Sequence, residues 1–311
     1  MKMVLPFFDQ PMASEYHISA FPLSILQAEK NFSVQYLLKK FIPISFDTTF
    51  PRCLSYKHRH FWYWNCFSLR LTLYPCCKQN RMKQKMIYCI QKGYYLSFNV
   101  NERYIDDRSA NTANKDFTHD IMVYGYDDGA DKFLVAGYTL SKKRYSQQSI
   151  EADSVVKGFV ESSDFFHVIA KLKIKKRFNF FSKNKCSLKR EIRKYFYSNS
   201  KHIGCNACKA FLQQTKKRLN AKSTLNMTSF RLIMERSNIL VCLEKHFKLS
   251  SETSELLQQN QALGKELFFT ALKWNISQKD SLTAPLYNSL ALYFHNEQSI
   301  LGEVYRLLKA Y

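Results

Sequence analysis

The chain has 311 residues, 46% of them hydrophobic and 15% aromatic, enough for one large or two moderate packed domains and too apolar for wholesale disorder. A formal net charge of +22 attracts anions of every kind, so it admits nucleic acid, an acidic protein or an anionic membrane and selects none of them. No stretch reaches the ~18 apolar residues of a membrane span. The first residues lack the apolar run and cleavage site of a secretory signal. Nine cysteines at irregular spacing would leave one over in a secreted chain and read as free thiols in a reducing cytoplasm, which is the expected location.

Phe21 to Lys40 is expected to be a helix, with Pro22 in its first turn and Leu23, Leu26, Phe32, Tyr36, Leu37 and Phe41 near helical spacing. Ile42 to Phe46 reads as a short strand. Residues 51–82 mix Cys53, Cys66, Cys76 and Cys77 with His58, His60, Trp62 and Trp64 in no legible period. They are expected to be irregular, with a helix following over Lys83–Lys92. Tyr94–Val100, His119–Tyr126 and Lys132–Thr139 are rich in aromatic and β-favouring residues and predict strands. The turn cluster Asp127–Asp131 folds the last two into an antiparallel hairpin. A short helix is expected over Asp153–Glu161, and a half-exposed strand over His167–Lys175.

Beyond Arg177 the period becomes helical, over Leu188–Tyr197, Ala207–Leu219, Ser229–Phe247, Glu252–Leu272 and Pro285–Leu308. Phe230, Ile233, Met234, Ser237, Leu240, Val241 and Leu243 trace one apolar stripe. Thr283 or Ala284 marks the last helix start. The basic run from Lys171 to Lys194 reads as a solvated linker or face.

His119 opens a strand that ends in an acidic turn; a lone histidine there is more often structural, and its candidacy as the catalytic residue rests on the resemblance given below. Glu102 and Tyr104 follow directly on the preceding strand, where a carboxylate can orient an amine acceptor or the imidazole; a charged surface loop is the plainer reading. Tyr124 and Tyr126 flank Gly125 and are expected on alternate faces, one in a cleft and one in the core, with Tyr126 the candidate for the cleft. Ser19 is expected to cap the first helix and is a candidate binding residue; His17 beside it reads equally well as an exposed surface residue. Cys205 and Cys208, with His202 and Cys186 nearby, make one knuckle where structural zinc needs two. No metal and no cofactor is expected. Lys171 to Phe181 interleaves cations with aromatics, which suits a nucleic acid strand and equally protects a sheet edge.

The runs Gly93–Ile105, His119–Asp128 and Phe133–Tyr138 resemble the butirosin-biosynthesis-protein-H N-terminal-like family, which is related to bacteriocin-processing cysteine peptidases of papain-like fold. Phe230–Arg236 and Asn296–Leu301 resemble long members found beside peptide-antibiotic synthetase genes. The resemblance implies an α+β chain: a papain-like domain over 1–175 with an antiparallel sheet, then a helical domain over 176–311. It maps the family's general base onto His119. It also implies a nucleophilic cysteine at the start of the first helix and an Asp-Pro pair after the hairpin. Here those places read Tyr16–Ser24 and Ala136-Gly137, with neither a thiol nor a carboxylate. Two functions follow from the resemblance. One is an impaired homologue, an accessory protein of peptide or aminoglycoside natural-product biosynthesis that binds an acidic acyl or peptidyl carrier protein or a synthetase. The other is an acyltransferase in which His119 deprotonates an amine with no covalent intermediate. A nucleic-acid-binding protein is the rival class.

Overall fold

The computed structural model describes residues 2–14, 17–29, 38, 41–47, 54–56, 69–75, 81–163, 168–174, 185–244 and 246–310, with the backbone alone for residues 18, 69–75 and 185–187. It is a mixed α/β structure with an antiparallel sheet and C-terminal helices. The chain forms two compact units, residues 1–32 with 60–179 and residues 33–59 with 180–311. The sequence division at 175/176 is a single cut. In the structure residues 33–59 group with the C-terminal helices instead, because their hairpin is bonded there.

The first unit is built on strands β1 (Lys2–Val4), β4 (Leu69–Pro75), β5 (Tyr95–Asn101), β6 (Thr118–Asp127), β7 (Lys132–Thr139), β8 (Arg144–Glu151) and β9 (Val168–Ile174), the labels β2 and β3 belonging to the second unit. Their order is β4-β9-β5-β6-β7-β8, with β1 on the far end of β6, and every pairing is antiparallel. Helices α2 (Met82–Gln91) and α4 (Ala152–Val160) cover one sheet face, a short α3 (Ser109–Thr112) lying between them in sequence. Met86, Ile90, Phe98, Val123, Phe133 and Phe159 share the resulting core. Burial of this kind stabilises by roughly 25 cal/mol per Å² of apolar surface. Helix α1 (His17–Gln27) packs against β6.

Four strands arise where none was expected: β1 and the Leu54–Tyr56 strand of the second unit, three residues each, and the longer β4 and β8. β4 lies inside the stretch read as irregular, and β8 is too polar to stand out: Arg-Tyr-Ser-Gln-Gln-Ser-Ile-Glu. β4 alternates as a half-exposed strand does, Leu-Arg-Leu-Thr-Leu-Tyr, and pairs with β9 along its whole length, whereas β8 owes its strand to full-length pairing with β7. α1 begins four residues before the expected Phe21, so Pro22 stands inside the helix rather than in its first turn. Phe21, Leu23, Ile25 and Leu26 are all fully buried, and that packing outweighs the hydrogen bond proline removes.

The second unit holds the hairpin β2 (Ile44–Phe46) and β3 (Leu54–Tyr56), with α5 (Lys185–Tyr197), α6 (Cys205–Asn220), α7 (Met227–Val241), α8 (Ser251–Ser277) and α9 (Thr283–Lys309). The Leu54 N–H donates to Ser229 Oγ at 3.0 Å, tying the hairpin to α7. The turn before α6 is also bonded to it: the Phe46 N–H donates to the His202 carbonyl and the Gly204 N–H to the Ile44 carbonyl, both at 2.9 Å. Gly204 holds φ at +59°, and a Cβ there would stand 2.7 Å from the Tyr195 carbonyl carbon. Gly204→Ala is therefore expected to destabilise the protein by at least ~1–3 kcal/mol, read as a lowered thermal midpoint; an unchanged midpoint would show that this turn is not held as described.

The α7 stripe carries a charge that periodicity concealed. Arg236 is 1% exposed and its Nε donates to Glu297 Oε2 of α9 at 2.7 Å. Its Nη2 donates to Glu297 Oε1 at 3.0 Å and to the Ile42 carbonyl at 2.9 Å, and its Nη1 to the Phe41 carbonyl. The Tyr195 hydroxyl donates to Glu297 Oε1 at 2.6 Å. Burial alone would lower the Arg236 pKa, but the Glu297 carboxylate outweighs it and holds the guanidinium charged. Among the described residues no helix is long and apolar enough to cross a membrane.

Candidate functional site

His119 and Asp120 stand near the head of β6, opposite Val100 and Asn99 of β5. The first residue of α1, His17, meets them there. The His119 side chain is 39% exposed, that of Asp120 31% and that of His17 only 3%. The surface reading of His17 is thus corrected. Its ring is wedged between Phe21, one helical turn on, and Tyr138, with centroids 4.7 and 4.9 Å away.

One carboxylate oxygen serves both imidazoles. His17 Nδ1 lies 2.9 Å and His119 Nδ1 3.0 Å from Asp120 Oδ1, and the two rings meet edge to face at 4.7 Å. The surrounding atoms assign the protons. The Tyr138 N–H donates to His17 Nε2 at 3.2 Å, so the His17 proton resides on Nδ1 and points at Asp120. His119 Nδ1 faces Asp120 Oδ1 and, at 3.3 Å, the Asp120 carbonyl. Two acceptors require a proton on that nitrogen too. The neutral His119 ring consequently carries its lone pair on Nε2, which has no partner among the described residues. An aspartate that fixes the tautomer and favours the imidazolium is the arrangement that makes a histidine a general base.

His17, His119 and Asp120 are also close enough to hold a metal ion, their ligand atoms all lying within 4.8 Å of one another. The second nitrogen of His17 argues against it. Coordination through Nδ1 moves the proton to Nε2, where it would oppose the Tyr138 N–H.

A buried ion pair stands behind the dyad. Arg108 Nε lies 3.3 Å from Glu102 Oε1, and Arg108 Nη1 donates to the Tyr138 carbonyl. Gly137 makes room for it: a Cβ there would stand 2.7 Å from Arg108 Nη2 and 3.7 Å from His17 Cε1. Burial lowers the Arg108 pKa despite Glu102. Burial raises that of Glu102, with Arg108, His119 and His17 opposing the shift. For His119, burial alone would lower the pKa, but the hydrogen bond and charge of Asp120, with the charge of Glu102, raise it overall. Burial would raise the Asp120 pKa, and the two histidines outweigh it and hold the carboxyl well below its usual range.

The signs set a pH window. Raised in the fold, the His119 pKa contributes stability fully present below its unfolded value of ~6.5 and lost as pH rises through the folded value. Asp120 contributes stability present above ~3.9 and lost as pH falls through its depressed folded value. Proton NMR of the His119 ring is expected to show a pKa above ~6.5 in the native chain. In Asp120→Asn it should fall, because burial then meets only Glu102. An equal pKa in both proteins would break the assignment of Asp120 as the orienting group.

The structure brings Glu102 into this neighbourhood, where its charge acts on His119 while Asp120 orients the ring. Tyr104 is half-buried, its ring lying under Lys157 Nζ at 4.6 Å and Arg103 at 5.9 Å. Ser19 is fully buried within the first helical turn, and its Oγ has no hydrogen-bond partner among the described residues. Tyr126 lies in the sheet core and donates its hydroxyl to Asp131 Oδ1 at 2.7 Å. Residues two apart share a face of a regular strand. A register shift between Val123 and Gly125 puts Tyr126 with Val123, while Tyr124 stacks on Phe7 at 4.5 Å.

Of the described cysteines, Cys89, Cys205, Cys208 and Cys242, none joins the cluster. Cys208 is buried 3.6 Å from the Tyr195 hydroxyl, and His202 is exposed. Cys53, Cys66, Cys76, Cys77 and the Cys186 side chain lie outside the described residues, as do residues 175–181 of the proposed nucleic-acid run. His17, Asp120 and Arg108 were not legible as site residues, although Asp120 directly follows His119. No family model matches the chain, and no curated protein matches it.

Proposed function

We propose that the chain is an acyltransferase of peptide or aminoglycoside natural-product biosynthesis, built on a papain-like scaffold and working without a covalent enzyme intermediate. The observation that carries the reading is the Asp120–His119 pair, with Nδ1 engaged and Nε2 open. The antiparallel sheet, with a helix start meeting the head of β6, supports the scaffold. His119 Nε2 takes a proton from an amine as its nitrogen attacks a carrier-bound thioester. The C–N bond forms, the C–S bond breaks, and the imidazolium returns the proton to the departing carrier thiolate. An acidic carrier protein suits the +22 charge, which would steer its approach.

A second reading rests on His17. It fills the helix start where the resemblance places a thiol, and both its ring nitrogens are already bonded, so it offers no nucleophile. An impaired homologue that only binds a carrier-tethered chain would look the same there. Incubation with acyl-carrier thioesters and amines, followed by mass spectrometry, separates the two. Amide product with no acyl adduct on the protein supports transfer. Carrier binding without product supports the binder, and neither would sink both.

A further inference from the structure

The second unit contains an open groove of about 690 Å³ between the end of α5, the start of α8 and the later half of α9. Its walls include Phe196 and Tyr197 of α5 and Tyr305 of α9. Tyr197 is 67% exposed, and its ring centroid lies 6.5 Å from that of Tyr305 at an interplanar angle of 54°. Lys309 Nζ sits 4.9 Å from the Tyr305 ring, and Arg306 adds a second cation at the rim. Back along α5, Arg193 and Arg190 are exposed four and seven residues before Tyr197, on the same helical face.

Arg190 Nε lies 3.5 Å from Glu191 Oε1 on its own helix and stays 63% exposed, while the acid beside Arg306 is already engaged. Glu303 accepts from the Ser250 N–H at 2.7 Å, from Ser250 Oγ at 2.8 Å and from Thr253 Oγ1. Glu252 is the other carboxylate at the groove. Asn296 also lines it, only 3% exposed, and its Nδ2 has no hydrogen-bond partner. A buried amide donor left unpaired is costly, and an acceptor on a ligand would satisfy it.

We propose that this groove and the adjoining face of α5 bind single-stranded nucleic acid. A base stacks at Tyr197 and Tyr305, its carbonyl or ring-nitrogen acceptor meets Asn296 Nδ2, and phosphates follow Arg190, Arg193, Arg306 and Lys309. Aromatic faces beside a track of cations are the general solution for an unpaired strand, whose bases are free to stack. A duplex keeps its bases paired, and an acidic peptide would use the cations alone. The proposal is independent of the acyl-transfer reading, since it concerns neither His119 nor Asp120.

The test is fluorescence anisotropy of the full chain with a labelled oligothymidine, against a duplex of equal length and against heparin, over a series of salt concentrations. Tyr197→Ala, alone and with Tyr305→Ala, is expected to weaken single-strand binding by about tenfold or more and to leave heparin binding unchanged. Arg190→Glu with Arg193→Glu is expected to weaken the single strand and flatten its salt dependence. Tyrosine variants that keep native affinity for the single strand, or a duplex that binds as tightly, would overturn the proposal and leave attraction by charge alone. Tyr197 is mostly exposed, so its single replacement keeps the test valid if the double variant fails to fold.

Discussion

Glu297→Ala is expected to lower stability by about 3–5 kcal/mol, because it leaves a buried guanidinium without its counter-charge. Arg236 would keep only the carbonyls of Phe41 and Ile42, and the Tyr195 hydroxyl only the weak partner Cys208 Sγ at 3.6 Å. Neither Arg236 nor Glu297 has measurable access to water that could compensate, at 1% and 0% exposure. The pair need not be a net source of stability, since desolvating two ions costs about as much as their attraction returns. A paired replacement by apolar residues, Arg236→Met with Glu297→Leu, is accordingly expected to recover most of the loss. Urea unfolding followed by circular dichroism measures both. A Glu297→Ala protein within ~1 kcal/mol of the native chain would mean that the ions are better solvated than their burial indicates.

His119→Ala is expected to reduce amide formation by roughly two to four orders of magnitude, the usual worth of a positioned general base. The ring is partly exposed at the head of a strand, so its removal should leave the fold intact. Asp120→Asn should also slow the reaction, because an amide can offer His119 Nδ1 a hydrogen bond but no negative charge to stabilise the imidazolium. The native rate should rise with pH through the raised His119 pKa, and in Asp120→Asn that rise should move to lower pH. Transfer at the native rate in His119→Ala would remove this residue from the mechanism. An acyl group found covalently on the protein would replace direct transfer with a two-step route.

His119 is legible as a strand-opening histidine before an acidic turn, and the resemblance of that run to a papain-like family is what marks it as a candidate base. Its partners were not legible. His17 comes from a helix more than a hundred residues earlier, and nothing around it distinguishes a buried ring from a surface one. Asp120 was legible as a residue but not as a partner, since adjacent strand side chains ordinarily point to opposite faces, and here both reach the strand's head. Tyr124 and Tyr126 would share a face of a regular strand; the bulge between Val123 and Gly125 separates them, and nothing local says that it is Tyr126 that joins the core. Pro22 points to a later helix start, which makes Ser19 look like a cap, whereas the helix begins at His17 and Ser19 lies inside it.

The amino-acid sequence by itself determined the local elements whose side chains repeat with a clear period: the β5, β6 and β7 strands, the Asp127–Asp131 turn, and the five helices after residue 185. Those depend on neighbours within a few residues, so a single chain displays them. Tertiary structure alone decided the strand β8, the joining of 33–59 to the C-terminal helices, the Arg236–Glu297 lock and the sharing of Asp120 by two imidazoles. Each of these depends on a partner distant in sequence, whose hydrogen bonds and exclusion of water exist only once the chain has folded.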